Sequence, residues 1–374
     1  MEKQGKLFAG IVGGVTMFVL LAGIAGLFAA GPLGEILVRR ETLIMGAELL
    51  GTFLLFWFVL EKCKRNASRN FFLIVIIVVF TWCHQIFLPL LIALAYVLYL
   101  ILLGRCIRKV ALYKLTYEME FQEKMAVNFM VGCAAVIAGI CILSLFGVGD
   151  IFLIRKIILL SGVLLFSLAI VEEVEEEVPK HYMMVGRKQR LFLSIAAAMV
   201  FLQAGRINIA MDYDTLHYSV RSQYVLNAGL GIYENLGMNN VVYTYPKGLE
   251  ILTMPFADLK SYSYIPAFNL WVTVGTLVCI YMLVRHLSSR RAAWRTVAVA
   301  ACIPAIMNMG ASAKTDAITL FFQLMAIYFV MQYMREKRQP YLLMGGSALI
   351  LSYAMKPTAV VFSSLVLVVS AVCL

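Results

Sequence analysis

Charge is scarce in this chain: Asp, Glu, Lys and Arg make up 14% of 374 residues, against 62% hydrophobic residues. A soluble domain of that size could not cover its surface with so few charges, so a water-soluble globular fold is excluded. Paired cysteines are lacking too. The eight that occur are scattered, mostly within apolar runs, with none between Gly205 and Tyr264, so neither a disulfide framework nor a metal-ligand spacing is readable. The N-terminal apolar run is too long for a cleaved signal peptide and lacks a clear small-residue cleavage site, so it reads as a retained anchor.

What is abundant is long apolar sequence. Crossing roughly 30 Å of hydrocarbon takes about 17 to 25 apolar residues. Runs of this kind lie near 7–31, 43–60, 71–87, 88–104, 127–147, 157–171, 191–205, 265–284, 296–310, 318–334, 341–355 and 358–374. The expectation is an all-α polytopic membrane protein with about 12 transmembrane helices. Residues 71–104 are too long for one span and are read as a hairpin turning at His84 to Pro89.

Lys and Arg beside spans are retained in the cytoplasm. A cytoplasmic N-terminus puts 1–6, 61–70, 105–126, 172–190, 285–295 and 335–340 inside, and these segments hold most of the 32 Lys and Arg. Arg39-Arg40 and Arg155-Lys156 disagree with this scheme. The net charge of +11 is carried by short juxtamembrane clusters such as Arg285 to Arg291, which topology and anionic headgroups explain without nucleic acid. The acidic run from Glu172 to Glu177 marks a boundary. It separates an accessory module, 1–171, by a charged cytoplasmic linker, 172–190, from a second transmembrane module, 191–374. No inverted repeat of the transporter kind is visible.

The one long polar excursion, Gly205 to Tyr264, falls outside in this scheme. Asp212 and Asp214 lie about eight residues beyond the run Leu191 to Ala204. Asp214 can cap an amphipathic helix ending near Asn227-Ala228-Gly229, and Asp214, His217, Tyr218 and Arg221 then share one face at three- and four-residue spacings. A second polar stretch, Tyr243 to Glu250, is extended at Tyr245-Pro246 and turns back toward the membrane. Plainer roles stand beside the functional ones. Asp214 serves equally well as a cap, Asp212 as a solvated loop acid, and Tyr213, Tyr218, Tyr243 and Tyr245 as an aromatic belt. Asp316 can neutralise Lys314, and Lys356 can snorkel to the headgroups. Glu48, inside the second span, is unusual there and has no assigned task.

Four local patterns carry a resemblance. They are the Asp-x-x-x-Tyr motif of Asp214 to Tyr218, the turn Tyr245-Pro246-Lys247-Gly248, the acid at a span start in Lys314-Thr315-Asp316, and the lysine of Met355-Lys356-Pro357. Together, over about residues 189–374, they resemble membrane glycosyltransferases of the GT-C fold, the class of aminoarabinose and protein O-mannosyl transferases. All four land on the external side in the topology drawn from the charges. Many relatives have Asp-Glu where this chain has Asp214-Thr215.

The resemblance implies a sugar donor linked to polyprenyl phosphate and transfer with inversion to an acceptor whose identity is not readable. It implies Asp214 as base, with the second carboxylate either supplied by Asp212 or dispensable. Lys356, Arg221 and Lys247 become candidates for the phosphate, and His217, Tyr218, Tyr245 and Asp316 for substrate contacts. No motif demands a cofactor or a metal, although Asp212, Asp214 and Asp316 could hold a divalent ion through oxygen ligands. It also implies further helices and a soluble domain beyond Leu374. The competing readings are a carrier or flippase for lipid-linked glycans and an inactive relative acting as a scaffold.

Overall fold

Apolar runs this long become helices in a bilayer, because each backbone amide must find its partner within its own segment. The computed structural model describes residues 32–112, 119–171, 186–208, 247–257 and 261–373, with pieces at 14–28, 215, 231–233 and 259. Among these residues every regular element is helical. In chain order they are α1 (Pro32–Leu37), α2 (Arg40–Lys62), α3 (Asn66–Cys83), α4 (Phe87–Ala111), α5 (Phe121–Leu145), α6 (Ile151–Val171) and α7 (Arg187–Ala204). There follow α8 (Gly248–Leu252), α9 (Tyr264–Leu287), α10 (Arg290–Ala301), α11 (Pro304–Gly310), α12 (Asp316–Glu336), α13 (Gln339–Met355) and α14 (Ala359–Cys373).

Seven of these, α2 to α6, α9 and α12, are long and apolar enough to cross a membrane, or eight if α10 and α11 count as one bent span. The expected total of about twelve is not reached among the described residues. Helices do occur at 187–204, 339–355 and 359–373. However, Arg187, Lys188 and Arg190 burden the first, and the other two have 17 and 15 residues. The run expected as one span at 296–310 is bent by 69° between α10 and α11. Pro304 explains the bend. It lacks an amide hydrogen and forces Ile303 out of the helical region, to ψ 114°.

The chain forms two compact units, residues 1–52 and 53–374, with α2 running across the division. The smaller unit holds α1 and the first part of α2, including Glu48. In the larger unit, helices from both sides of the acidic run share one core, with Leu100 of α4, Met130 of α5, Phe268 of α9 and Phe322 and Phe329 of α12 fully buried in it. The acidic run itself lies outside the described residues. Helices α4 and α5 approach so closely that a β-carbon on Gly104 or Gly132 would run into the Asn128 or the Leu100 carbonyl. Small residues permit such contact between membrane helices.

Polar contacts at helix ends fall into two sets. In one, Glu61 meets Arg187 at 3.0 Å and Arg190 at 3.5 Å, Arg285 meets Glu120 at 4.0 Å, and Arg335 meets His286 at 3.4 Å. Near this end a buried knot joins α5 to α12. The Tyr328 hydroxyl and the Gln332 amide both donate to Glu123 Oε1, at 2.6 and 2.8 Å. In the other set, Asn208 donates to the His84 carbonyl at 3.0 Å, and the Tyr262 hydroxyl donates to the Asn208 carbonyl at 2.8 Å. These are the two groups of segments that the basic residues assign to opposite sides. The turn at His84 to Ile86, where Gln85 takes a left-handed φ of 57°, divides the apolar run 71–104 into α3 and α4.

Candidate functional site

Proline sets the first element of the site. The residue before a proline is driven to extended backbone, so α13 stops at Met355 and Lys356 takes φ −149° and ψ 125° ahead of Pro357. Asp316 is the first residue of α12, where the helix dipole favours a carboxylate. The two meet across forty residues of chain, Lys356 Nζ lying 2.5 Å from Asp316 Oδ1, with both side chains partly open. Such a pair can hold a charge in place at a surface that a substrate can still reach.

The segment before Asp316 is fixed from beneath. Asn269 of α9, fully buried, donates to the carbonyls of Ser312 at 2.7 Å and Lys314 at 2.8 Å. Gly310 lies against Thr273 with no room for a β-carbon. The amide of Ala313 donates to Thr215 Oγ1 at 3.2 Å, which ties the residue after Asp214 to the Asp316 loop.

The Lys247-Gly248 turn comes to the same place. A β-carbon on Gly248 would lie 2.6 Å from the Ala354 carbonyl oxygen and 3.0 Å from Met355 Sδ. The absent side chain thus lets α8 rest on the last turn of α13, directly before Lys356. Helices upstream of residue 171 brace α8 from the other side. The Tyr96 hydroxyl donates to the Leu252 carbonyl at 2.6 Å, and Arg155 donates through Nε to the Pro255 carbonyl at 3.0 Å and through Nη2 to the Ala257 carbonyl. Arg155 is one of the residues that disagree with the charge scheme, and its work here is to satisfy loop carbonyls. Tyr96→Phe is expected to cost about 1 kcal/mol of stability, one neutral hydrogen bond, read as a lower melting temperature of purified protein.

Two ionisable groups on this turn are shifted by their surroundings. Burial lowers the Lys247 ammonium, and the charge of Glu250 opposes that shift. Burial raises the Glu250 carboxyl, and Lys247 opposes it in turn. Glu250 is 5% exposed, and its Oε2 has no hydrogen-bond partner. An unsatisfied buried oxygen of this kind costs on the order of 1–3 kcal/mol.

Of the residues named from sequence, Lys247, Asp316 and Lys356 are thus brought to one end of the bundle. Asp212, Asp214, His217, Tyr218, Arg221 and Tyr245 lie outside the described residues, as does most of the expected amphipathic helix. Of the three carboxylates considered for a divalent ion only Asp316 is described, and it is engaged with Lys356. Among the described residues no three His, Cys, Asp or Glu side chains come together as a metal site. Sequence reasoning missed Asn269, Glu250, Tyr96 and Arg155. For Glu250 a signal existed, an acid three residues after Lys247 on a helical turn.

An apolar cavity of about 680 Å³ opens between α3, α4, α7, α9 and α10, lined by residues such as Leu90, Leu94, Val200, Leu270 and Leu277. Thr81, Phe87 and Ala204 line it toward the end that carries Asn208 and Tyr262.

A many-helix membrane protein with an acid-lysine pair at one end of its bundle is the class that these features define. Residues 259–373, under a third of the chain, match the family model described as dolichyl-phosphate-mannose-protein mannosyltransferase. The matched stretch contains Asp316 and Lys356 and stops short of Lys247 on its N-terminal side. No curated protein and no solved structure matches.

Proposed function

We propose that this protein transfers a sugar from a polyprenyl-phosphate donor to an acceptor nucleophile at the external face of the cell membrane, with inversion at the anomeric carbon. The observation that carries the reading is the meeting of Asp316 and Lys356, inside the family-matched stretch, with Gly248 of the Lys247-Gly248 turn packed on Ala354 and Met355, directly before Lys356. In this reading all twelve apolar runs cross the bilayer, the N-terminus is cytoplasmic, and helices upstream of residue 171 form an accessory module that braces the site.

Asp214 accepts the proton of an acceptor hydroxyl while the acceptor oxygen attacks the anomeric carbon. The bond from that carbon to the phosphate oxygen breaks, its electron pair stays on the phosphate, and one displacement from the opposite face inverts the centre. Lys356, Lys247 and Arg221 hold the phosphate, the lysines as point charges and the arginine in a bidentate contact. Asp316 keeps Lys356 in position, His217, Tyr218 and Tyr245 contact the sugar, and Asp212 supports Asp214. The donor's isoprenoid chain takes the apolar cavity beside α9. The reaction as written uses no metal. A divalent ion shared by Asp212, Asp214 and Asp316 is the variant of it that chelation tests.

Asp214→Asn in membrane vesicles is the direct test, with release of labelled sugar from a polyprenyl-phosphate donor as the readout. The expected loss is on the order of 10²–10⁴-fold, the usual contribution of a general base. Turnover equal to the wild type removes Asp214 from the mechanism. Movement of intact donor across the bilayer without release of sugar would establish a carrier instead.

A further inference from the structure

The apolar cavity between α3, α4, α7, α9 and α10 has hydrogen-bonding capacity to spare at one end only. Both Leu193 and Ala204 line it, so it runs roughly 16 Å along α7. Toward the Ala204 end its polar wall groups are satisfied. The Thr81 hydroxyl donates to the Ile77 carbonyl at 2.8 Å, and the Trp271 indole donates to the Leu90 carbonyl at 3.0 Å. Toward the other end stand Gln122, Tyr281 and Trp294, whose side chains make no hydrogen bond to any described residue. Trp294 Nε1 is buried in that condition, its ring against that of Tyr281. Donors left unsatisfied among apolar side chains are costly unless a ligand supplies an acceptor.

A second apolar cavity of about 320 Å³ lies between α4, α5, α9 and α12 and shares Gln122, Trp271 and Val278 with the first. The two cavities therefore flank the edge of α9 that carries Trp271 and Val278, and they have one side-chain amide in common, that of Gln122. Leu91 and Val278 in the wall of the larger cavity are 48% and 45% exposed, so it opens sideways, where membrane lipid has access.

Positive charge prevails at the end that holds Gln122, Tyr281 and Trp294. Helix α7 opens with Arg187, Lys188 and Arg190, α10 carries Arg290, Arg291 and Arg295 in its first two turns, and neither helix contains an acid. Glu61 meets Arg187 and Arg190, and Glu120 meets Arg285. Lys188, Arg291 and Arg295 are exposed, with Arg295 over the Phe192 ring. Basic pockets between membrane helices suit anionic headgroups.

We propose that the two cavities bind one anionic diacyl phospholipid from the leaflet on that side. Its phosphate rests among Lys188, Arg291 and Arg295, its ester oxygens accept from Gln122, Tyr281 and Trp294, and one acyl chain enters each cavity. The donor's isoprenoid chain, in the reading above, reaches the larger cavity from the Ala204 end. The phospholipid site does not depend on that reading.

Native mass spectrometry of the delipidated full chain tests the assignment, with dioleoyl phosphatidylglycerol as the probe and dioleoyl phosphatidylcholine as its zwitterionic counterpart. Wild type should retain one phosphatidylglycerol in preference to phosphatidylcholine. Arg291→Gln combined with Arg295→Gln should cut that preference roughly tenfold, since each cation near a headgroup contributes several-fold. Gln122→Leu combined with Tyr281→Phe removes two neutral donors and should weaken binding about five- to tenfold. Ile101→Phe narrows the smaller cavity, so it should weaken the diacyl probe and spare single-chain lysophosphatidylglycerol, whose retention also shows that the variant is folded. Equal retention of the two headgroups, or wild-type affinity in the Gln122→Leu, Tyr281→Phe protein, overturns the assignment and leaves only boundary lipid. A polyprenyl monophosphate that depends on Gln122 and Tyr281 where phosphatidylglycerol does not bind overturns it too, and gives this end to the donor. Loss of the donor reading in the vesicle assay leaves the phospholipid measurement standing.

Discussion

If Lys356 faces the donor phosphate as proposed, Lys356→Ala is expected to lower transfer by on the order of 10²–10³-fold, the loss when one preorganised charge that faces a developing anion is removed. The argument turns on the asymmetry of its pair with Asp316. An ion pair as open as this one contributes only about 0–1 kcal/mol to stability, so neither partner is there chiefly to hold the fold. If Lys356 meets the phosphate and Asp316 aims it, Asp316→Asn leaves the cation in place and costs less than Lys356→Ala. The double variant then behaves like Lys356→Ala alone. A pair that mattered only as a pair would give two equal single losses and strong non-additivity in the cycle. Comparing kcat/KM across the four proteins separates the cases, and a Lys356→Ala enzyme within about twofold of wild type defeats the role.

The second large effect lies far from this chemistry. Gly132→Ala puts a methyl group into the Leu100 carbonyl, and Gly104→Ala puts one into the Asn128 carbonyl. Both obstacles are backbone, so no rotamer change relieves them, and α4 and α5 must separate. Separation also strains the buried bond from Arg108 Nε to Asn128 Oδ1, now 2.7 Å. Each substitution is expected to destabilise the protein by on the order of 3 kcal/mol, at the upper end of single-residue effects. Gly139→Ala, on the same helix with nothing within 4 Å, should be neutral or slightly stabilising through helix propensity. Thermal unfolding of the purified proteins reads the contrast, and a Gly132→Ala protein that melts with the Gly139→Ala control refutes it.

Helix positions were legible because hydrocarbon thickness imposes a length, and the stop at Met355 because Pro357 forbids another helical residue there. The bend at Ile303 shows the limit of counting apolar residues: the run 296–310 is apolar but for Thr296 and Asn308, yet Pro304 divides it. In the candidate site, Asp316 and Lys356 were readable as charges at span ends. Their meeting is a contact across forty residues that no local pattern encodes. Asn269 reads in sequence as one polar residue in a span, and only the fold shows it holding two carbonyls of the Asp316 loop. Arg155 is the instructive exception. Charge counting treats every arginine as a topology signal, whereas this one is spent on two carbonyls a hundred residues downstream.

The knot of Glu123, Tyr328 and Gln332 bears on how the chain is made. Glu123 leaves the ribosome 205 residues ahead of Tyr328, its hydroxyl partner, which at about 5–20 residues per second is an interval of roughly 10–40 s. Through that wait the acid must remain hydrated or be sheltered by the insertion machinery. The two helices that it joins can lock only after α12 has been synthesised.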